Sequence, residues 1–171
     1  MLIDDFSTGD GVSRLGTPWR LATDQVMGGV SSARMTIEEN NGRRALCLRG
    51  AVSLANNGGF VQVNLALGPT GEGPQGTLDA SGFAGVRLVV RGNGEAYKVH
   101  LKTPDGPLPW QSYRADFVAD DTWTEVRLPF ADFQPHRLGV PLDTRRLQRL
   151  GIVAIGRAMR AEVCVAQLGL Y

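Results

Sequence analysis

Three Asn-Gly dipeptides, each set between runs of strand length, constrain this chain more than any other feature. A two-residue type I′ hairpin needs positive φ at both central positions, and these residues tolerate it best. Asn41-Gly42 separates 31–39 from 43–54, Asn57-Gly58 separates that run from 60–67, and Asn93-Gly94 separates 86–91 from 95–103. Each is therefore predicted to be a tight antiparallel reversal. Alternation supports strands: Ala33, Met35 and Ile37 share one face, as do Val61, Val63, Leu65 and Leu67, and Tyr97, Val99 and Leu101. Between the last three stand Lys98 and His100, with Lys102 following. Further strands are expected at 112–118, 123–129, 150–155 and 162–171, with shorter ones at 2–6 and 19–22. This spacing predicts an all-β sandwich or barrel. The 22 Gly and 9 Pro suit a chain of many turns, and one helical segment is predicted, at 143–150, capped by Asp143.

At 171 residues the chain fits one domain, 1–171, able to bury a full core without staples. The stretch 68–82, rich in Gly, Pro and Thr, reads as a loop within that domain. A formal net charge of +1 argues against sequence-independent nucleic-acid binding. No run approaches the ~20 apolar residues of a spanning helix, so membrane insertion is not expected. The start Met1-Leu2-Ile3-Asp4-Asp5-Phe6 has no signal-peptide pattern, and a cytoplasmic location is expected. In that compartment Cys47 and Cys164, both in apolar runs, read as buried free thiols in preference to a disulfide.

Catalytic and cofactor signatures are weak. Gly71-Glu72-Gly73-Pro74-Gln75-Gly76 matches G-x-G-x-x-G, but no helix follows to receive a pyrophosphate, so it reads as a loop coincidence. The chain has no G-x-S-x-G, P-loop or C-x-x-C string. No cofactor and no metal is expected. His100 and His136 lack the spacing of metal ligands and read as surface or satisfied side chains. Asp120-Asp121 suits a turn, and Asp4 or Asp5 is a remote candidate for structural calcium.

Binding candidates are easier to name. Asp24-Gln25-Val26-Met27-Gly28-Gly29-Val30-Ser31 and Asn56-Asn57-Gly58-Gly59-Phe60 carry paired glycines, which serve a sharp turn as well as a close approach to a ligand. In the first, Asp24, Gln25 and Ser31 place polar side chains around a backbone that could press on a partner. Trp110, Gln111 and Tyr113 follow a Pro- and Gly-rich turn and are candidates for an exposed aromatic rim, with a core plug as the rival reading of Trp110. Trp19 and Trp123 are expected in the core. The arginines of 137–160 read as a solvated face or a docking patch.

These strings, with Val90-Arg91-Gly92-Asn93-Gly94-Glu95-Ala96-Tyr97-Lys98 and Trp123-Thr124-Glu125-Val126-Arg127-Leu128-Pro129-Phe130, resemble the complex I intermediate-associated protein 30 family. The resemblance runs from about Phe6 to Tyr171 and implies an antiparallel jelly-roll β-sandwich similar to galactose-binding domains. It also implies a non-catalytic assembly factor for a respiratory NADH dehydrogenase. The chain departs from the family near Arg157-Ala158-Met159-Arg160-Ala161-Glu162. The expectation is a protein-binding domain with no enzymatic activity, a carbohydrate-binding module being the alternative and an enzyme the third choice. Its candidate binding residues are Asp24, Gln25, Met27, Ser31, Asn57, Arg91, Lys98, Trp110 and Tyr113.

Overall fold

A computed structural model describes residues 1–68 and 76–171. Residues 69–75, which hold all but Gly76 of the G-x-G-x-x-G match and about half of the 68–82 loop, lie outside the described residues. Alternating side chains divide the strands into two antiparallel sheets facing each other. The first has the order β3 (Ser32–Asn40), β4 (Arg43–Val52), β12 (Met159–Leu170), β6 (Gly85–Gly92) and β9 (Thr124–Pro129), and β1 (Leu2–Asp4) pairs with the end of β12. The second runs β10 (Gln134–His136), β8 (Ser112–Val118), β7 (Ala96–Lys102), β11 (Arg149–Ile155), β5 (Phe60–Ala66) and β2 (Trp19–Thr23). Between them lies one continuous core in which Leu46, Leu48, Leu88 and Val163 meet Val63, Leu65, Val99, Leu101 and Ile152. Burying each such side chain contributes roughly 1.5–3 kcal/mol. The chain crosses repeatedly from one sheet to the other, which makes this a jelly-roll sandwich.

Only the first of the three Asn-Gly pairs is a hairpin. Asn41 and Gly42 both have positive φ and join β3 directly to β4. Asn57-Gly58 and Asn93-Gly94 instead lead the chain across the sandwich, from β4 to β5 and from β6 to β7, between strands of different sheets. Positive φ permits a sharp change of direction, but which strand the chain then joins is decided by burial of the apolar face. The second crossing is anchored by Tyr97, whose buried hydroxyl donates to Asn93 Oδ1 at 2.6 Å and accepts from Glu162 N at 2.8 Å.

Three other expectations are corrected. The 143–150 helix is a 3-10 turn, Thr144–Arg146, capped by Asp143, after which Leu147 and Leu150 enter the core and β11 begins. Trp123 lies outside the core, on the outer side of the first sheet against Cys47, Val89, Cys164 and Ala166, its indole N–H shared by the carbonyls of Asn40 and Asn41. Cys47 and Cys164 form a disulfide across β4 and β12, where register sets them directly opposite with Cα atoms 4.0 Å apart. At a sequence separation of 117, nothing local in the sequence announces that pairing. Trp19 is buried as expected and donates to Asp4 Oδ2 at 2.8 Å. Asp4 also accepts from Phe6 N, and Asp5 is held by Ser7 N and Arg14, so both carboxylates are engaged within the chain.

Candidate functional site

At the end of β2 the chain turns through Asp24–Met27, and Gly28, at φ +87°, stops that turn in the left-handed conformation. Asp24 is thereby folded inward and completely buried. Its Oδ1 accepts from Ser31 N at 2.9 Å, and its Oδ2 accepts from the Ser31 hydroxyl at 2.5 Å, Gly59 N at 2.5 Å and Phe60 N at 3.2 Å. Burial by itself raises the carboxyl pKa. The Ser31 and Gly59 bonds, with those from Ser31 N and Phe60 N, outweigh it and hold Asp24 below the ordinary carboxylate value. A Cβ at Gly29 or Gly58 would sit 2.5 Å from this carboxylate, so these glycines exist to let two backbone segments close on it. The Asp24 and Ser31 side chains are thus consumed internally, which corrects their expected role as contact groups. Gln25 is exposed, but its amide is spent on the Ser31 carbonyl at 2.8 Å. Asn57 is exposed in left-handed conformation on the second segment.

Beside these polar groups the tied loops present apolar side chains to solvent. Val26 is 79% exposed, Met27 63%, Val30 52% and Leu54 50%. Of these only Met27 is among the residues nominated from sequence. Strand-length patterning cannot find the rest, because their exposure follows from the Asp24 tie beneath them.

A second candidate surface is the outward face of the second sheet. Pairing register lays Gln134, Arg114, His100, Gly151, Asn64 and Arg20 in one row across all its strands, and His136, Ser112, Lys102 and Arg149 in the next. Lys98 belongs to this face, bonded to Asp116 at 2.5 Å beside a shallow cleft of about 240 Å³. Lys102 donates to the carbonyls of Leu108 and Gln111, and Arg114 to Ser112 Oγ and weakly to Trp110 O, lashing the β7–β8 loop to the sheet. Trp110, 55% exposed, stands on that loop at the edge of the face and is not a core plug. Tyr113 is fully buried, its hydroxyl donating to Val140 O at 2.8 Å, so it is no part of an exposed rim. His100 is neither a free surface side chain nor a satisfied one: its Nε2 is buried without a hydrogen-bond partner. Burial, then Arg114, Lys98, His136 and Lys102, push its pKa down to about 3.

Arg91 points out from the opposite side, the first sheet. It donates to Asn40 Oδ1 at 3.0 Å and, with the Asn41 amide turned to suit it, to Asn41 at 2.9 and 3.1 Å. The nominated residues therefore do not share one surface: Gln25, Met27 and Asn57 lie at one pole, Lys98 and Trp110 on the second sheet, and Arg91 on the first. Nor do the 137–160 arginines form one patch. Arg145 and Arg146 are bonded to Asp143, Arg157 to Glu95 and Arg160 to Glu162. A groove of about 580 Å³ is a separate apolar trough beside β10 between Phe133, Leu138, Val140 and Leu142.

The family model for complex I intermediate-associated protein 30 matches residues 5–163. The chain belongs to this family. No curated protein matches this chain at the level of sequence. Among solved structures it is similar to the family 11 carbohydrate-binding module of Clostridium thermocellum in complex with a β-1,3-1,4-mixed-linked tetrasaccharide. That likeness has a TM-score of 0.72 at 13% identity and covers 99% of this chain and 93% of the other. A family 30 carbohydrate-binding module matches at 0.57 and 14% identity, over 80% of this chain and 72% of that one. An exo-β-agarase matches at 0.60 and 12% identity, over 99% of this chain but 24% of the agarase. At such identities the likeness establishes for the CIA30 domain a shared jelly-roll fold.

Proposed function

We propose that this CIA30 domain is a non-catalytic, protein-binding module of the assembly-factor type, docking through the pole that carries Val26, Met27, Val30 and Leu54. The observation that carries this reading is a cluster of exposed apolar side chains on loops fixed from below by Asp24. Surface apolar groups mounted on preorganised backbone lose little entropy on binding, the property of a docking site. Membership of the family supports the assembly role. The test is photo-crosslinking in the native host from a probe at Met27, with a second probe at Leu108 on the far side as control. A discrete adduct is expected from Met27 alone, lost when Val30→Glu and Leu54→Glu are combined in a chain that melts normally. Equal labelling from both probes would overturn it.

A second reading, saccharide binding on the outward face of the second sheet, is favoured by Trp110 at its edge and by the fold shared with carbohydrate-binding modules. Calorimetry with a panel of oligosaccharides tests it, and silence with every sugar rejects it. The Cys47–Cys164 disulfide weighs against the expected cytoplasmic placement, because thiols are kept reduced there. Among the described residues no helix is long and apolar enough to cross a membrane.

A further inference from the structure

The outward face of the second sheet gathers Arg20, Lys102, Arg114 and Arg149, and among the described residues no carboxylate is bonded to any of them. Its single acid, Asp116, is committed to Lys98. Lys102 and Arg114 are partly buried, with only carbonyl and hydroxyl oxygens as partners. Burial therefore works against their charges, and Arg149 and Arg114 add repulsion at Lys102. Like charges brought together without counter-charge are costly, and an anion seated among them would relieve that cost.

Geometry narrows what the anion is. Neighbouring strands lie about 4.8 Å apart and alternate rows roughly 7 Å apart, so cations placed from β8 across to β2, five adjacent strands, span roughly 19 Å. That is the footprint of an extended chain, not of one small ion. Among the cations stand the neutral hydrogen-bonding groups Ser112, Asn64 and Gln62, with Gln134 beyond Arg114 on the edge strand. At the centre Gly151 leaves a low floor: Asn64 Oδ1 lies 2.7 Å from where a Cβ on Gly151 would sit. Charged and neutral donors interleaved, with an exposed indole at the edge, match a chain that alternates acid groups with hydroxyls and offers ring faces for stacking. Nucleic acid fits poorly, since the chain has net charge +1 and this face has no series of exposed aromatics.

We propose that this face binds an extended acidic polysaccharide, its anionic groups resting on Lys102, Arg114, Arg149 and Arg20 and its hydroxyls on Asn64, Gln62 and Ser112. The proposal sharpens the saccharide reading above, from sugars in general to anionic ones, and does not depend on protein docking at the Met27 pole.

Calorimetry of the purified protein with oligogalacturonate tests it against a heparin-derived oligosaccharide, a neutral mixed-linked β-glucan oligomer, polyglutamate and oligothymidine. Binding of oligogalacturonate is expected to weaken about tenfold or more in Lys102→Gln with Arg114→Gln, and also on raising the salt concentration. Binding of the sulfated chain in its place keeps the acidic-glycan class and changes the acid group. Equal or tighter binding of the neutral glucan overturns the anionic proposal while leaving the saccharide reading intact. Preference for polyglutamate or oligothymidine, or silence with all five probes, overturns both. Arg149→Gln, at an exposed position, gives an independent reading should the double variant fold poorly. The Met27 crosslink is expected to be unchanged in each variant, so failure here is distinct from failure of the docking proposal.

Discussion

The two sheets have the same inward pattern but opposite outward chemistry. On the first, Arg49 is bonded to Glu38, Arg87 to Glu125 and Gln167, and Arg91 to Asn40, around a disulfide roofed by Trp123. On the second, Lys102, Arg114, Arg149 and Arg20 have no acidic partner among the described residues, and His100 Nε2 has none at all. A strand in a sandwich spends alternate residues on the core and leaves the others to be settled locally or from outside. The first face is settled within the chain. The second has no acid partner for these cations among the described residues, and the proposed ligand is what would supply one.

The contrast can be broken most forcefully at the disulfide. Replacing Cys47 and Cys164 together by Ala is expected to destabilise the protein by about 2–4 kcal/mol in chemical denaturation, with ligand binding on the second sheet unaffected. Loss of that binding would mean the faces are not separable. Next in size is a pH effect confined to the second face. The folded-state pKa of His100 is about 3, below its unfolded value of about 6.5. The unfolded chain therefore takes up the proton first, and stability falls as pH drops from about 6.5 toward 3. His136, lowered by burial, Arg114 and Arg137, adds to the same slope. Thermal melts between pH 6.5 and 4.5, above most carboxylate titration, are expected to show a shallower slope in His100→Gln. An unchanged slope would remove His100 from the account.

Smaller still is the ion pair on the first face. Arg49→Ala is expected to cost under about 1 kcal/mol, since both side chains of the pair keep contact with solvent, and Glu38→Ala in that background is expected to add little. Smallest is the change at Lys102 and Arg114. Substituting Gln is expected to move stability by no more than about 0.5 kcal/mol in either direction, because no acid partner is stranded. A large loss there would show that these cations are held for folding, and the two faces would then differ less than their partners suggest.

Much of this layering can be read from the chain. The alternation Tyr97, Val99, Leu101 and Val61, Val63, Leu65 gives the inward faces directly, and Lys98, His100 and Lys102 are visibly the other side of β7. What alternation lacks is adjacency. Arg114, His100, Gly151 and Asn64 become neighbours only because β8, β7, β11 and β5 are adjacent in that order, and that order is set by long-range pairing. The same gap explains Asn57-Gly58, where Asn57 takes the expected positive φ but Gly58, at φ −78°, is extended and the chain leaves for the other sheet. It explains Asp24 too: its partners at Gly59 and Phe60 lie 35 and 36 residues away, so a polar side chain beside two glycines looked available when it was already occupied. Trp123 failed for a simpler reason, since an aromatic on a strand marks a buried side without saying which of two layers buries it.

Because one carboxylate is gripped by both segments, the Val26–Met27–Val30 knuckle and its Leu54 neighbour behave as a single cartridge. Transplanted to another scaffold, the stretch that supplies Asp24 arrives as slack polymer unless the stretch that supplies Gly58 and Gly59 travels with it. Any engineering of partner choice at that pole has to edit the two in concert.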